Sequence, residues 1–176
     1  MTPRALRPEP GSHRHDRDDR DDLATVAALL GRRPAGDLQV VRRRPDGTPQ
    51  VIENAPFLHD GTPMPTRFWL VDPELRAAVS ALEANGGVRE AQGAVDPEAL
   101  ARAHARYAAE RVGRIPADHA GPRPSGGVGG TRTGVKCLHA HLAWWLVGGD
   151  DPVGDWVASR LGLERGSERR SLDGAS

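Results

Sequence analysis

The sequence of 176 residues contains one cysteine, Cys137, and therefore cannot form an internal disulfide. It has no run of about 18 apolar residues, the length that a transmembrane helix requires. Residues 1–22 are charged and contain prolines, unlike the apolar segment of a secretory signal. These absences predict a soluble cytoplasmic protein that does not act at a membrane.

The chain also lacks an excess of charge of either sign. Its 24 basic residues, of which Lys136 is the only lysine, balance 24 acidic residues. Proteins that bind the phosphates of nucleic acids usually carry a basic excess, so we expect no nucleic-acid partner. Only 4% of the residues are aromatic, which predicts a modest core built largely from Ala, Val and Leu.

Glycine and proline are abundant, with 21 and 15 residues, which indicates long irregular connections. The length fits one domain. Residues 11–22 carry mixed charges and no apolar side chain, and the C-terminal residues are similar. We therefore predict one domain over residues 22–163, between disordered tails at residues 1–21 and 164–176.

Three strands are predicted in the first half of the domain. Residues 38–44 and 50–54 form a hairpin around the Pro-Asp-Gly sequence at 45–47, because proline fixes φ and glycine allows a positive φ. Residues 67–71 have apolar side chains on both faces, which favours a central strand.

Five helices are predicted around this sheet. Aspartates are favourable N-caps, and three of them are followed by a proline, which suits the first helical position. The helices begin near Asp22, Asp72, Asp96, Gly134 and Asp151. The fold class is therefore α+β, a small antiparallel sheet of about three strands covered by about five helices.

Residues 126–141 (GGVGGTRTGVKCLHAH) carry the densest set of chemically useful groups. A glycine-rich segment that leads into a helix N-terminus is suited to anion binding, with Arg132 and Lys136 as additional donors. The spacing differs from that of a P-loop, because Val135 separates Gly134 from Lys136. The alternative is a flexible connection before a helix.

Cys137 is predicted in the first turn of that helix, where the helix dipole and Lys136 favour a thiolate. One interpretation pairs it with His141, four residues later on the same face, as nucleophile and base or as half of a metal site. The two residues alone complete neither a catalytic set nor a zinc site, which needs three or four ligands. We therefore expect neither a metal nor a cofactor. The alternative is that Cys137 packs as a small apolar side chain in a buried helix.

Two further groups have two interpretations each. His104, Tyr107 and Arg111 lie on one helix face, either as the polar lining of a cleft or as a solvated face with Tyr107 anchored in the core. Asp60 and Thr62 belong to an Asp-Gly-Thr-Pro segment that is either a turn or a source of binding groups before a strand.

The segments DGTPMPTRFWL at residues 60–70 and VKCLH at residues 135–139, with Asn-Ala-Pro at 54–56, resemble an uncharacterised bacterial family. It is the domain of unknown function five hundred and one, common in high-GC Gram-positive bacteria, and the resemblance spans about residues 23–163. The family pattern falls on Asp60, Gly61, Thr62, Pro63, Pro65, Thr66, Trp69, Lys136, Cys137 and His139, and does not include His141. The resemblance implies proximity to genes for a septum-formation initiator and an exopolyphosphatase-like phosphatase, and hence a link to division or phosphate metabolism, but no activity.

Two functions are consistent with these residues. The first is a non-catalytic accessory protein that binds an anionic molecule or a protein partner at the glycine-rich segment and the start of the Lys-Cys-Leu-His helix. The second is an enzyme that uses Cys137 as a reactive thiolate and His139 as its acid/base on a phosphorylated or other anionic substrate. The candidate ligand-binding residues are Asp60, Thr62, Arg111, Arg132 and Lys136. Both functions require residues 60–70 and this helix to meet at one polar hollow.

Overall fold

A computed structural model describes the backbone of residues 12–164 and the side chains from residue 21 onward. Helix α1 spans Ser12–Leu30 and so begins well before Asp22, which the sequence predicted as its N-cap. Asp22 lies inside the helix and pairs with Arg43, with 2.5 Å between the charged atoms. Residues 12–21 of the predicted N-terminal tail thus belong to α1, and the tail residues 1–11 and 165–176 lie outside the described part of the chain.

The three strands form one antiparallel sheet in chain order: β1 Leu38–Arg43, β2 Pro49–Asn54 and β3 Phe68–Leu70. The predicted hairpin is confirmed. In its turn, the Asp46 carboxylate accepts a hydrogen bond of 2.9 Å from the backbone N–H of Thr48, and Gly47 supplies the positive φ of 89° that the turn requires.

Strand β3 lies at the edge of the sheet, and the prediction of a central strand is wrong, since β2 occupies the centre. The apolar side chains on both faces of β3 have a different cause. Phe68 and Leu70 pack in the larger part of the core, while Trp69 packs with the smaller part on the opposite face. Other elements cover the edge strand on both sides, which gives it the composition of a buried strand.

Six α-helices are present in the described residues, one more than the sequence predicted. After α1 they are α2 Pro73–Ala84, α3 Gly87–Ala94, α4 Pro97–Val112, α5 Leu138–Leu146 and α6 Pro152–Arg160, with a short 3-10 turn at Val128–Gly130. The three Asp-Pro starts are confirmed. The side chains of Asp72, Asp96 and Asp151 accept hydrogen bonds from backbone N–H groups in the first turns of α2, α4 and α6.

Two helix boundaries differ from the sequence-based expectation. Helix α2 ends at Ala84 with Asn85 as its C-cap, which suits the Asn-Gly-Gly sequence at residues 85–87, but a helix that the sequence did not predict, α3, begins directly after Gly86, which has a φ of 87°. Helix α5 begins at Leu138 rather than near Gly134. Cys137 is its N-cap residue, with an extended backbone at φ −150°, and so precedes the helix instead of lying in its first turn.

The core has two parts, one on each face of the sheet. The larger part takes residues from the sheet and from α2 to α6, among them the buried Tyr107, Leu138 and Trp144. In the smaller part, Val26 of α1 packs with Ile52 of β2. Nearly all of α5 is buried. None of the helices within residues 12–164 is long and apolar enough to cross a membrane.

Candidate functional site

A cavity of about 510 Å³ lies beside strand β3, helix α2 and the start of α5. Its polar lining consists of Arg32, Thr66, Arg76, Ser80, Cys137 and His139. The rest of the lining is apolar and includes the rings of Phe68 and Trp69. The lining contains two arginines and no carboxylate, which makes the cavity suited to a negatively charged molecule.

Cys137 and His139 both line the cavity because of the way α5 begins. The extended N-cap residue Cys137 precedes Leu138, which is fully buried in the core, and His139 follows in the first turn. This alternation leaves Cys137 and His139 on the same side of Leu138, with the Cys137 Sγ 3.9 Å from the His139 Nδ1. The backbone changes from extended at Cys137 to helical at Leu138, and this change brings the thiol and the imidazole of two residues at positions i and i+2 together.

Glu83 of α2 completes a cluster at this point. Its Oε1 accepts a hydrogen bond of 2.6 Å from the backbone N–H of Leu138 and lies 3.3 Å from the Nδ1 of His139. A carboxylate in this position satisfies an N–H group at the start of α5 that has no partner within the helix, and it interacts favourably with the helix dipole. Ligand atoms of Glu83, Cys137 and His139 lie within 4.8 Å of one another.

The second ring nitrogen of His139 fixes the tautomer. Nε2 lies 3.2 Å from the carbonyl oxygen of Arg76 and 3.2 Å from the hydroxyl of Ser80. A carbonyl oxygen only accepts hydrogen bonds, so Nε2 carries a proton and donates it to Arg76. In the neutral imidazole Nδ1 then has no proton and can accept one from Cys137, whereas in the imidazolium it donates to the Glu83 carboxylate.

The pKa of His139 is raised above its ordinary value. The hydrogen bond with Cys137 is the main cause, burial acts against it, and the negative charge of Glu83 adds to it. The imidazole of His139 therefore holds a proton more readily than a free histidine does. Cys137 thus lies beside a group that can take up its proton, which is the arrangement that nucleophilic thiol chemistry needs.

Arg32 and Arg76 supply positive charge at the cavity. The guanidinium carbon of Arg32 lies 5.1 Å from the ring centroid of Trp69, a cation–π contact. Arg76 donates from Nη1 to the carbonyl oxygen of Leu29 at 2.9 Å. These contacts restrict both side chains in the free protein, so that less conformational entropy is lost when they bind a ligand.

The cavity brings together parts of the two sequence segments that were expected to meet. Thr66 and Trp69 come from the segment at residues 60–70, and Cys137 and His139 come from the segment at residues 135–139. The glycine-rich connection also reaches the lining, through Gly129.

The other candidate ligand residues do not line this cavity; they are Asp60, Thr62, Arg111, Arg132 and Lys136. Asp60 and Thr62 form an exposed turn, in which the Asp60 carboxylate accepts a hydrogen bond of 2.9 Å from the backbone N–H of Thr62. The same bond is the main cause that lowers the pKa of Asp60. Arg132 and Lys136 are exposed at the surface.

Arg111 has a structural role. Its side chain is almost completely buried, with the residue only 2% exposed, and its guanidinium donates to the carbonyl oxygens of Pro65, Pro124 and Gly126. These three bonds tie the segment at residues 60–70 and the chain at residues 124–126 to α4. Arg111 therefore positions the backbone behind the cavity rather than offering its charge to a ligand there.

His104 lies on the same helix face and is also buried, so the predicted solvated face is wrong. Its Nδ1 accepts a hydrogen bond from the backbone N–H of Val128 at 3.1 Å, and its Nε2 donates to the carbonyl of Gly134 at 3.0 Å. Both partners belong to the glycine-rich connection. This face of α4 holds that connection in place, while Tyr107 is buried in the core as expected.

The pairing of Cys137 with His141 is wrong. His141 is fully buried, and its Nδ1 lies 2.7 Å from the carboxylate of Asp151, the N-cap of α6. The N-cap position of Cys137 removes the i, i+4 relationship on which that pairing depended. A helix that began near Gly134 would point His139 away from Cys137. In the structure, His139 is the histidine that contacts the thiol.

Four residues of the site were not identified from the sequence: Arg32, Arg76, Ser80 and Glu83. Three of them, Arg76, Ser80 and Glu83, are spaced i, i+4 and i+7 on one face of α2. That spacing was the one available signal. It indicates a polar helix face, but nothing in it specifies which other helix the face would meet.

A family model described as a protein of unknown function, DUF501, matches residues 40–159. The matched range includes Glu83, Cys137 and His139, whereas Arg32 lies outside it. No curated protein and no solved structure matches the chain. The comparisons thus assign a family but no activity, and a functional proposal rests on the geometry of the cavity.

Proposed function

The chain belongs to DUF501, a family of proteins of unknown function, and we propose that it binds a small anionic molecule in the cavity that Cys137 and His139 line. The observation that carries this proposal is the lining, which contains Arg32 and Arg76 and no carboxylate. Guanidinium groups bind phosphate and carboxylate oxygens through paired, charge-assisted hydrogen bonds. The function is that of a binding or accessory protein.

The ligand has an apolar part as well as a charge. Phe68 and Trp69 form much of the apolar lining, and the cation–π contact places Arg32 beside the Trp69 ring. A planar apolar group that contacts Phe68 or the uncovered part of Trp69 would bring an attached phosphate or carboxylate close to Arg32, whose guanidinium lies over the Trp69 ring. A cavity of about 510 Å³ is also in the usual range for a small-molecule site. We therefore favour an aromatic phosphate or a similar molecule over inorganic phosphate.

The second candidate is an enzyme that acts on such an anion with Cys137 as its nucleophile. The observation that favours it is the bond from His139 Nε2 to the Arg76 carbonyl, which leaves Nδ1 as the acceptor beside the thiol. In this reaction Nδ1 takes the thiol proton, Sγ forms a bond to the electrophilic atom of the substrate as the bond to the leaving group breaks, and the protonated His139 gives that proton to the leaving group. Water then attacks the covalent intermediate, Nδ1 takes a proton from this water, and Sγ leaves and recovers its proton from His139.

Binding is tested by thermal denaturation and calorimetric titration of the full chain with pyrophosphate and with adenosine monophosphate, in the presence of a metal chelator. Adenosine is the uncharged control ligand. We expect both anions to raise the melting temperature, adenosine to have little effect, and Arg32→Ala to weaken binding at least about tenfold, since a hydrogen bond to a charged group contributes roughly 1.5–3 kcal/mol.

Arg33→Ala is the matched control, because Arg33 is the exposed neighbour of Arg32 and does not line the cavity. The double variant Arg132→Ala, Lys136→Ala tests the glycine-rich surface instead. If that double variant abolished binding while Arg32→Ala left it unchanged, the ligand would bind at the glycine-rich surface and the cavity proposal would be wrong. No stabilisation by either anion would also contradict it.

A further inference from the structure

The cluster of Glu83, Cys137 and His139 has a property that anion binding does not use, since it offers a carboxylate oxygen, a thiol sulfur and an imidazole nitrogen to one point. We propose that these three side chains form a binding site for a divalent transition metal ion, Zn²⁺ by preference, with the fourth coordination position open to the cavity. This goes beyond the proposed function and does not depend on it.

The distances between the ligand atoms match a tetrahedral ion. With Zn–S of about 2.3 Å and Zn–N and Zn–O of about 2.0–2.2 Å, tetrahedral angles separate S from N by about 3.6 Å and N from O by about 3.4 Å. The observed separations are 3.9 Å from Cys137 Sγ to His139 Nδ1 and 3.3 Å from that nitrogen to Glu83 Oε1. Two separations are thus within a few tenths of an ångström of tetrahedral values, and the third, from Cys137 Sγ to a Glu83 carboxylate oxygen, is at most 4.8 Å, so an ion fits once the thiol and the carboxylate close on it.

The surroundings of the cluster orient each ligand in the way that metal sites usually do. A metal-bound histidine commonly donates its other N–H to a carbonyl or a carboxylate. His139 does so through Nε2, which donates to the Arg76 carbonyl at 3.2 Å, so that Nδ1 is the nitrogen that an ion would bind in place of a proton. The Glu83 oxygen accepts the Leu138 N–H at 2.6 Å and keeps a second lone pair for an ion.

The mixture of donors selects the metal. Mg²⁺ and Ca²⁺ prefer oxygen ligands alone, so the sulfur and nitrogen of Cys137 and His139 disfavour them. A thiolate, an imidazole and a carboxylate are all common ligands of Zn²⁺. Three protein ligands with one open position is the arrangement of catalytic zinc sites, whereas structural sites have four. Cys137 and His139 line the cavity, so a water molecule or an anion there would complete the coordination.

The sequence pattern pairs Cys137 with His141 as half of a metal site and gives no sign of Glu83, which lies on a different helix. Without metal, Glu83 still caps α5 through the Leu138 N–H, which is a structural role. The experiment therefore has to separate metal binding from helix capping. Glu83→Gln does so, because the amide oxygen still accepts that N–H while the carboxylate charge is lost.

The test uses the full chain in a His13→Ala, His15→Ala background, since this closely spaced pair in the N-terminal sequence could bind metal adventitiously. Metal-free protein is titrated with Zn²⁺ against a chelator of known affinity, and the Co²⁺ form is examined by absorption spectroscopy. We expect one ion per chain, visible bands of tetrahedral Co²⁺ and a thiolate-to-cobalt charge-transfer band. Glu83→Gln, Cys137→Ser and His139→Ala should each weaken binding by more than the tenfold that even an outer partner usually costs.

His59→Ala is the control, because His59 is exposed and lies outside the cluster. It should bind Zn²⁺ like the parent. Circular dichroism of each variant shows whether α5 and the fold are retained, and Glu83→Gln keeps the cap. Substoichiometric zinc after metal addition, a Co²⁺ spectrum without the thiolate band, or unchanged affinity in a folded Glu83→Gln would each overturn the metal site. None of these results would bear on anion binding, which is measured in metal-free protein.

Discussion

The carboxylate of Glu83 on α2 lies 3.3 Å from the imidazole Nδ1 of His139 on α5, and it caps α5 through the Leu138 N–H. One side chain thus joins the two helices and places a charge beside the thiol of Cys137. The contact links the stability of the helix start to the chemistry at the cavity.

Replacing His139 should slow the reaction of Cys137 with a neutral alkylating reagent. The second candidate function requires His139 to accept the thiol proton, so in metal-free protein His139→Asn is expected to reduce the rate of iodoacetamide labelling severalfold at neutral pH. Mass spectrometry gives the rate without ambiguity, because the chain has one cysteine. His59→Asn, at an exposed site away from the cluster, should leave the rate unchanged. Equal rates in wild type and His139→Asn would show that His139 is not a base for the thiol.

Arg111→Met should destabilise the protein by roughly 3 kcal/mol, since it leaves buried carbonyl groups without their charged donor. Methionine retains much of the side-chain length, so the loss reports the three hydrogen bonds. Urea denaturation measures the free energy of unfolding. Arg102→Met is the control on the same helix, where Arg102 is exposed, and it should change stability by less than about 0.5 kcal/mol. Near-equal stabilities of the two variants would contradict the structural role of Arg111.

Gly127 should not tolerate a side chain, because a Cβ at this position would lie 2.4 Å from the imidazole of His104. We expect Gly127→Ala to cost about 1–3 kcal/mol of stability through overpacking. Gly93→Ala is the matched control in α3, where a Cβ meets no atom within 4 Å. It should stabilise the protein by roughly 0.5–1 kcal/mol through helix propensity. Thermal melts of both variants measure the difference, and a neutral Gly127→Ala would contradict the tight packing of the connection on α4.

His104 should contribute a loss of stability in mildly acidic solution, opposite in sign to the contribution of His139, whose pKa is raised. The pKa of His104 is lowered, mainly by burial and also by the nearby His141. The hydrogen bond to the Gly134 carbonyl and the charge of Asp151 raise this pKa, but by less. The folded state keeps the imidazole neutral, with Nδ1 accepting from Val128. The unfolded state therefore binds the proton first, and stability is lost as the pH falls from about 6.5 through the lower pKa of the folded state.

Urea denaturation at several pH values between about 8 and 5 measures this contribution. His104→Gln retains a donor and an acceptor but does not titrate, so on acidification over this range the wild type should lose stability relative to this variant, while the contribution of His139 is common to both. The same pH dependence in both proteins would show that other groups cause the acid sensitivity.

Much of the fold was accessible from the sequence because the relevant signals are local. Asp72, Asp96 and Asp151 cap helices with their own side chains, and the Pro-Asp-Gly turn at residues 45–47 needs no distant partner. The position of β3 was not accessible, because burial on both faces gives an edge strand the composition of a central one.

The site could be predicted only in part, for the same reason. Cys137 and His139 stood out because they are two residues apart in an unusual segment. Their geometry depends on where α5 begins, and a shift of that start from Gly134 to Leu138 exchanges His141 for His139 as the neighbour of the thiol. Glu83 and Arg32 come from elements far along the chain, and only the packing of the core brings them to the cavity.

Protection of Cys137 from iodoacetamide by adenosine monophosphate in metal-free protein tests the central claim most directly, because it reports where the anion binds. Saturating ligand should slow labelling, with a half-maximal effect at the dissociation constant found by calorimetry. Arg32→Ala should require at least about tenfold more ligand, and Arg33→Ala should behave like the wild type. Calorimetric binding that leaves the labelling rate of Cys137 unchanged would contradict the account, since the anion would then lie elsewhere on the protein.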